Sequence, residues 1–77
     1  MTDAYVNVYV DAGAVRQAAE EIQSIDAAKT VHVVTGEYDL VVQLDLDDSD
    51  DLPDVVANEI HPVSGVIETV TNVAFDV

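Results

Sequence analysis

Hydrophobic and polar residues alternate along residues 4–11 (AYVNVYVD), with Val6, Val8 and Val10 pointing one way and Tyr5, Asn7 and Tyr9 the other. A period of two is the signature of a strand. The period then lengthens: over about 13–25 the apolar positions Val15, Ala18, Ala19, Ile22 and Ile25 recur at helical spacing, with Glu20 and Glu21 turned outward and Asp11 available as a cap. Two β-rich runs come next, 30–35 (TVHVVT) and 38–46 (YDLVVQLDL). Only Gly36 and Glu37 separate them, which is hairpin spacing with glycine supplying a positive φ. In DLDDSDDLPDVVANEIHP the positions Leu52, Val55, Val56, Glu59 and Ile60 predict a short helix. Its acidic first turn suits the helix dipole, and His61-Pro62 stops it. Gly65 leads into a last strand over 66–77 (VIETVTNVAFDV), rich in Val and Thr.

The order β-α-β-β-α-β, with right-handed crossovers, predicts an α+β fold of the ferredoxin-like split-βαβ type. Its four-stranded antiparallel sheet would place the first and third strands centrally and both helices on one face. Residues 1–77 read as one domain, because no linker composition interrupts them. A two-residue hairpin loop sets Thr35 opposite Tyr38, Val34 opposite Asp39, Val33 opposite Leu40, His32 opposite Val41 and Val31 opposite Val42. One face then carries Val31, Val33, Leu40, Val42, Leu44 and Leu46 and should lie under the helices. The reverse face carries His32, Val34, Asp39, Val41, Gln43 and Asp45, joined by Tyr5, Asn7 and Tyr9. Val34, Val41, Tyr5 and Tyr9 make that face too apolar to be left wet, and a second subunit packed sheet to sheet is the simplest cover. The last strand fits neither register throughout: Val66 and Val70 fall in one, Ile67, Val73 and Phe75 in the other.

Size and charge sharpen this picture. A chain of 77 residues hides only about 60% of the surface its unfolded form exposes, so self-association is the natural source of further burial. With no cysteine there are no disulfides, thiolate metal sites or Cys nucleophiles. No apolar run approaches the roughly 20 residues of a membrane span, and Met1-Thr2-Asp3 lacks the basic start of a signal peptide, so a soluble cytoplasmic protein is expected. Sixteen acidic residues stand against Lys29 and Arg16, a net charge of −14. Nucleic acid is therefore a poor partner, and no direct binding to it is expected, because the basic patch that phosphate contacts need is missing. Yet 49% of the residues are hydrophobic, which argues for a folded chain rather than a disordered one. Concentrated salt reconciles folding with such self-repulsion, since the screening length falls from about 10 Å at 0.1 M to about 3 Å at 1 M. The composition matches the cytoplasm of a salt-loving organism.

Candidate chemistry is sparse. The acidic run 45–54 fails the calcium-loop pattern: starting at Asp45, the third ligand is Ser49, the required glycine is Asp50 and the bidentate glutamate is Val56. A solvated, dipole-matched helix start is the better reading. His32 and His61 are 29 positions apart with no partner at ligand spacing, so no metal site and no cofactor is expected. No catalytic triad can be assembled, and the carboxylates are too many to single out a pair, so the chain does not read as an enzyme. The segment TGEYDL remains, and its plain reading is a turn. Three details resist that reading: loop amides near Gly36 can bind a carboxylate, Asp39 and Glu37 can hold an ammonium, and Tyr38 offers an apolar wall with a hydroxyl. A zwitterion suits those groups.

The element order, the VHVVTGEYDLVVQL hairpin, the acidic short helix and the ending HPVSGVIETVTNVAF together resemble the effector-sensing RAM domain of the Lrp/AsnC (feast/famine) regulators. The resemblance runs the full length, and the acidic composition adds the expectation of a halophilic archaeon as the source. It implies a sheet-to-sheet dimer resembling a dimeric α/β barrel, association of dimers into larger rings such as an octamer, and an amino acid effector bound between dimers. Gly36, Glu37, Tyr38 and Asp39, with Thr35 adjacent, would bind it, and Thr69 and Thr71 match the family's Thr-x-Thr ending. Tyr5, Tyr9, His32, Val34 and Val41 would lie in the dimer interface. Typical members carry a helix-turn-helix domain ahead of this one, whereas here the chain starts at the first strand, so a stand-alone sensing module is expected. It would act in transcriptional or metabolic regulation, without DNA contact of its own and able to mix with full-length relatives. Two other classes stay open: a structural adaptor that joins such relatives without binding a ligand, and a small enzyme of the dimeric α+β barrel type, whose chemistry nothing here resembles.

Overall fold

Alternation along the first run does bury one row and leave the other: Val6 and Val8 are fully buried and Val10 nearly so, while Tyr5 stays 39% exposed. In the computed structural model, which describes residues 2–77, the elements are β1 (Thr2–Val10), α1 (Val15–Gln23), β2 (Ala28–Val33), β3 (Leu40–Leu46), α2 (Leu52–Val55) and β4 (Val66–Ala74). Short 3-10 turns, Ala12–Ala14 and Ser49–Asp51, lead into the two helices, and α2 runs on into a π-helical turn, Val56–Ile60. The sheet order is β2-β3-β1-β4 and every pairing is antiparallel. This is the ferredoxin-like arrangement expected, with β1 and β3 central.

Leu40, Val42 and Leu44 from β3 meet Ala4, Val6 and Val8 from β1 beneath Ala18, Ile22 and Ile60 of the helical layer, all fully buried. Fully burying one such Val, Leu or Ile side chain is worth about 1.5–3 kcal/mol, and this row is the main store of stability. The hairpin register holds where strands exist: Val31 faces Val42, His32 faces Val41 and Val33 faces Leu40.

Four expectations need correction. The connection is not a two-residue turn: β2 ends at Val33 and β3 begins at Leu40, with the Val34 N–H still reaching the Asp39 carbonyl at 3.0 Å. Residues 35–38 therefore form a wider loop, drawn toward β1 by side-chain contacts. Val33, expected under the helices, is 62% exposed, because it ends an edge strand and lines an open groove beside α1. Asp11 precedes the first 3-10 turn, but its side chain caps nothing; its carbonyl instead accepts from the Ala14 N–H at 2.9 Å. The last strand stops at Ala74 rather than 77.

The mixed register of β4 has a physical cause. Val66 faces Val10, but a bulge between Tyr9 and Val10 sets Glu68 against Tyr9, which leaves Ile67 as an extra residue. Beyond it Thr69, Thr71 and Val73 oppose the buried Val8, Val6 and Ala4, while Val70 and Asn72 oppose Asn7 and Tyr5 on the open face. The inward parity switches from even to odd at the bulge.

Candidate functional site

Strand pairing lays out the open face of the sheet in rows. Val34, Asp39, Tyr9 and Glu68 form the row nearest the hairpin; His32, Val41, Asn7 and Val70 form the next; Thr30, Gln43, Tyr5 and Asn72 the third. Tyr5, Tyr9, His32, Val34 and Val41 thus share one face, and all of them keep solvent exposure in the single chain.

The hairpin loop folds over the top row. Asp39 makes the attachment, because its backbone N–H donates to the Val8 carbonyl at 3.0 Å and its Oδ2 accepts the Val10 N–H at 2.8 Å. The Val10 amide points to the β3 side, beyond the last β1–β3 pair, Val8 with Leu40, so the carboxylate satisfies a donor that the ladder cannot. Next to it the Tyr38 ring packs against Tyr9 with centroids 4.9 Å apart and planes tilted by 54°, an arrangement aromatic pairs favour. The Tyr9 hydroxyl donates to Glu37 Oε2 at 3.3 Å. These contacts pull residues 37–39 onto β1 and away from Thr35, which is why the loop opens beyond two residues. Thr35, Gly36 and Glu37 stand in solvent, Gly36 with a φ of 131° and empty space around it. Among the described residues the amides of 35–38 donate to no backbone carbonyl, so they are free for an external acceptor.

Partial burial, then the charge and hydrogen bond of Glu37, push the Tyr9 phenol above its ordinary range, with Tyr38 and Glu68 adding to the shift. A raised folded pKa means the unfolded chain ionises first. The contribution of neutral Tyr9 is therefore complete below about pH 10, the ordinary tyrosine value, and is lost as pH rises through the folded pKa. Tyr9→Phe is expected to flatten the alkaline fall in melting temperature; an unchanged alkaline limb in that variant would contradict the Tyr9–Glu37 contact.

Thr69 and Thr71 are not brought to the loop within one chain. They occupy the helix-side register of β4, and the Thr69 Oγ1 lies 2.8 Å from His61 Nε2 at the end of the π turn. The sheet separates them from Tyr9 and Tyr38. Sequence reasoning also missed the structural role of Asp39, whose carboxylate caps the Val10 amide. Asp39→Ala leaves the Val10 amide unpaired and is expected to cost about 1–3 kcal/mol, read by urea denaturation, with Asp39→Asn retaining an acceptor and losing less. It is therefore a poor variant for removing ligand binding with the fold intact. Asp45, Asp47, Asp51 and Asp54 line a surface depression with Asp26 and Glu59. Among the described residues no three His, Asp or Glu side chains are placed to hold a metal ion.

Comparison with known proteins agrees with this arrangement. Residues 3–77 match the family model described as the Lrp/AsnC ligand binding domain. An uncharacterized HTH-type transcriptional regulator from Pyrococcus abyssi is 34% identical over 61 residues, covering 79% of this chain and 41% of that protein. The chain thus spans about two-fifths of the length of that relative. The crystal structure of a Thermus thermophilus protein superposes with a TM-score of 0.94 at 35% identity, covering 100% of this chain and 96% of that one. A feast or famine regulatory protein from M. tuberculosis, complexed with L-methionine, shares the fold, with a TM-score of 0.83 at 18% identity over 100% of this chain and 52% of that one. From its first described strand to its last residue, the chain belongs to the Lrp/AsnC ligand binding domain family.

Proposed function

We propose that this chain senses an amino acid and couples its binding to self-association, acting in transcriptional or metabolic regulation. One observation carries the reading: the hairpin loop is pinned to β1 by Asp39 while its tip keeps free amides beside the Tyr9–Tyr38 pair. Fixed backbone donors and an aromatic wall are the parts a zwitterion needs, and pre-fixing them lowers the ordering cost of binding. The L-methionine complex of the M. tuberculosis relative supports the class of ligand. Thr35, Gly36, Glu37 and Tyr38 are the contact residues of this reading, and Asp39 acts chiefly as their anchor.

A dimer packed through Tyr5, Tyr9, His32, Val34 and Val41 would cover the open face, and the loop at its rim would meet neighbouring dimers. A ligand shifts such assembly only through its differential affinity for the states, so the effector should bridge subunits. Calorimetry across the amino acids, with sedimentation on the same samples, tests this: a binder that also moves the oligomer distribution is expected. Silence across the set, with assembly unchanged, favours the adaptor role instead.

The charge supports a salt-adapted version of this role. From about 1 M salt down to about 0.01 M the screening length grows from about 3 Å to about 30 Å, and a net charge of −14 then repels across every interface. Sedimentation is expected to show smaller species, or circular dichroism an unfolded chain, as salt is withdrawn. A monomer at every salt concentration would contradict the assembly reading.

A further inference from the structure

The top row of the open face has an unbalanced chemistry. Glu68 pairs with Tyr9 across β1 and β4, and its charge reaches the Tyr9 phenol, as does that of Glu37. Two carboxylates therefore flank one tyrosine, with a second tyrosine tilted against it. Neither strong cation of the chain answers them: Arg16 stands on α1 across the sheet, and Lys29 near the start of β2, away from the hairpin. His32, the basic side chain on this face, lies in the next row on β2, with β3 between it and the Tyr9 strand.

Resting on the effector reading above, we propose that the ligand taken at this loop carries a cationic side chain, an amino acid of the arginine or lysine kind. The free loop amides would receive its carboxylate. Its cationic end would lie against the Tyr9 and Tyr38 faces and pair with Glu37 or Glu68. A guanidinium suits this arrangement best, since it stacks on an aromatic ring and bonds a carboxylate through a fork of donors. An acidic side chain would meet Glu37 and Glu68 with no counter-charge. An apolar one would use the rings but leave both carboxylates unpaired.

Arginine and citrulline have nearly the same shape and differ in charge, which makes them the deciding probes. In calorimetry at about 1 M KCl, where long-range attraction is screened and contact remains, arginine is expected to bind at least about fivefold more tightly than citrulline. That ratio corresponds to one exposed cation–π contact or ion pair. Glutamate is expected to give no heat. Glu37→Gln, on the exposed tip and still offering an acceptor to the Tyr9 hydroxyl, should bring the ratio toward one while leaving the melting temperature nearly unchanged, and Tyr38→Leu should lower the ratio too, with some loss of stability from the broken packing against Tyr9. Equal affinity for arginine and citrulline, or tighter binding of methionine or glutamate, would overturn the cationic class and leave amino acid sensing standing. Silence of all four probes, with heat from some other amino acid, would overturn the class alone, whereas silence of every amino acid would remove the sensing reading as well.

Discussion

Gly65→Ala is expected to destabilise the fold by about 3 kcal/mol, the sum of a backbone forced into a sparse region and an overpacked contact. Gly65 has a φ of 93°, and a Cβ added there would come within 2.5 Å of the Ala14 Cβ and 3.5 Å of Val10 Cγ1. Neither neighbour yields cheaply: Ala14 has no flexible side chain to swing aside, and Val10 belongs to the core. The position is also tied down, because the Asp11 N–H donates to the Gly65 carbonyl at 2.9 Å. For a chain of 77 residues, whose whole stability is about 4–12 kcal/mol by the usual per-residue value, that loss is a large share. Urea denaturation reads it directly, and a change below about 0.5 kcal/mol would show that the chain before β4 passes the Ala12–Ala14 turn with room to spare. The effect should reach the site, since Val10 and Asp11 adjoin the bulge where Asp39 attaches the loop.

Ile60→Ala should cost a similar amount, about 3 kcal/mol, the usual penalty for truncating a large aliphatic residue in a closed core. Ile60 is fully buried and comes from the π turn, whose wider ring the His61 N–H closes onto the Val56 carbonyl at 2.9 Å. Such turns insert a residue into a helix and re-aim the side chains beyond it. Here Ile60 closes the core over β1 and β3, while His61 reaches Thr69. A thermal melt separates this from a surface effect: Glu59→Ala, one position earlier and exposed, should shift the midpoint little.

Most of the fold is legible in the sequence because the apolar pattern is strict. The alternation of β1 and β3 and the helical spacing of Val15, Ala18 and Ile22 specify which faces close on each other, and strand pairing is then a consequence of topology. The features that escape are set by contacts distant in sequence. Gly36-Glu37 has the composition of a tight turn, and only the hold of Asp39 on Val8 and Val10, some thirty residues earlier, opens it. The parity switch of β4 is visible as a conflict between Val66 and Val73, yet the bulge that resolves it belongs to the pairing with β1. The π turn leaves no mark, because Val56 and Ile60 keep the apolar spacing of four that an ordinary helix shows. For the site, composition singles out residues 36–39 but not the partnership of Tyr9 with Tyr38 and Glu37, since Tyr9 reads only as an outward strand residue. The Thr-x-Thr ending lies on the far side of the sheet from that partnership in a single chain.

Amide chemical-shift mapping on isotope-labelled protein, titrated with the amino acid that calorimetry selects, locates the place where the ligand is received. If that place is the hairpin loop, the largest shifts fall on residues 35–39 and on Tyr9 and Val10, with Glu68 next across the strand. Shifts confined to the acidic depression around Asp26 and Asp54, or to the groove between α1 and β2, would contradict it.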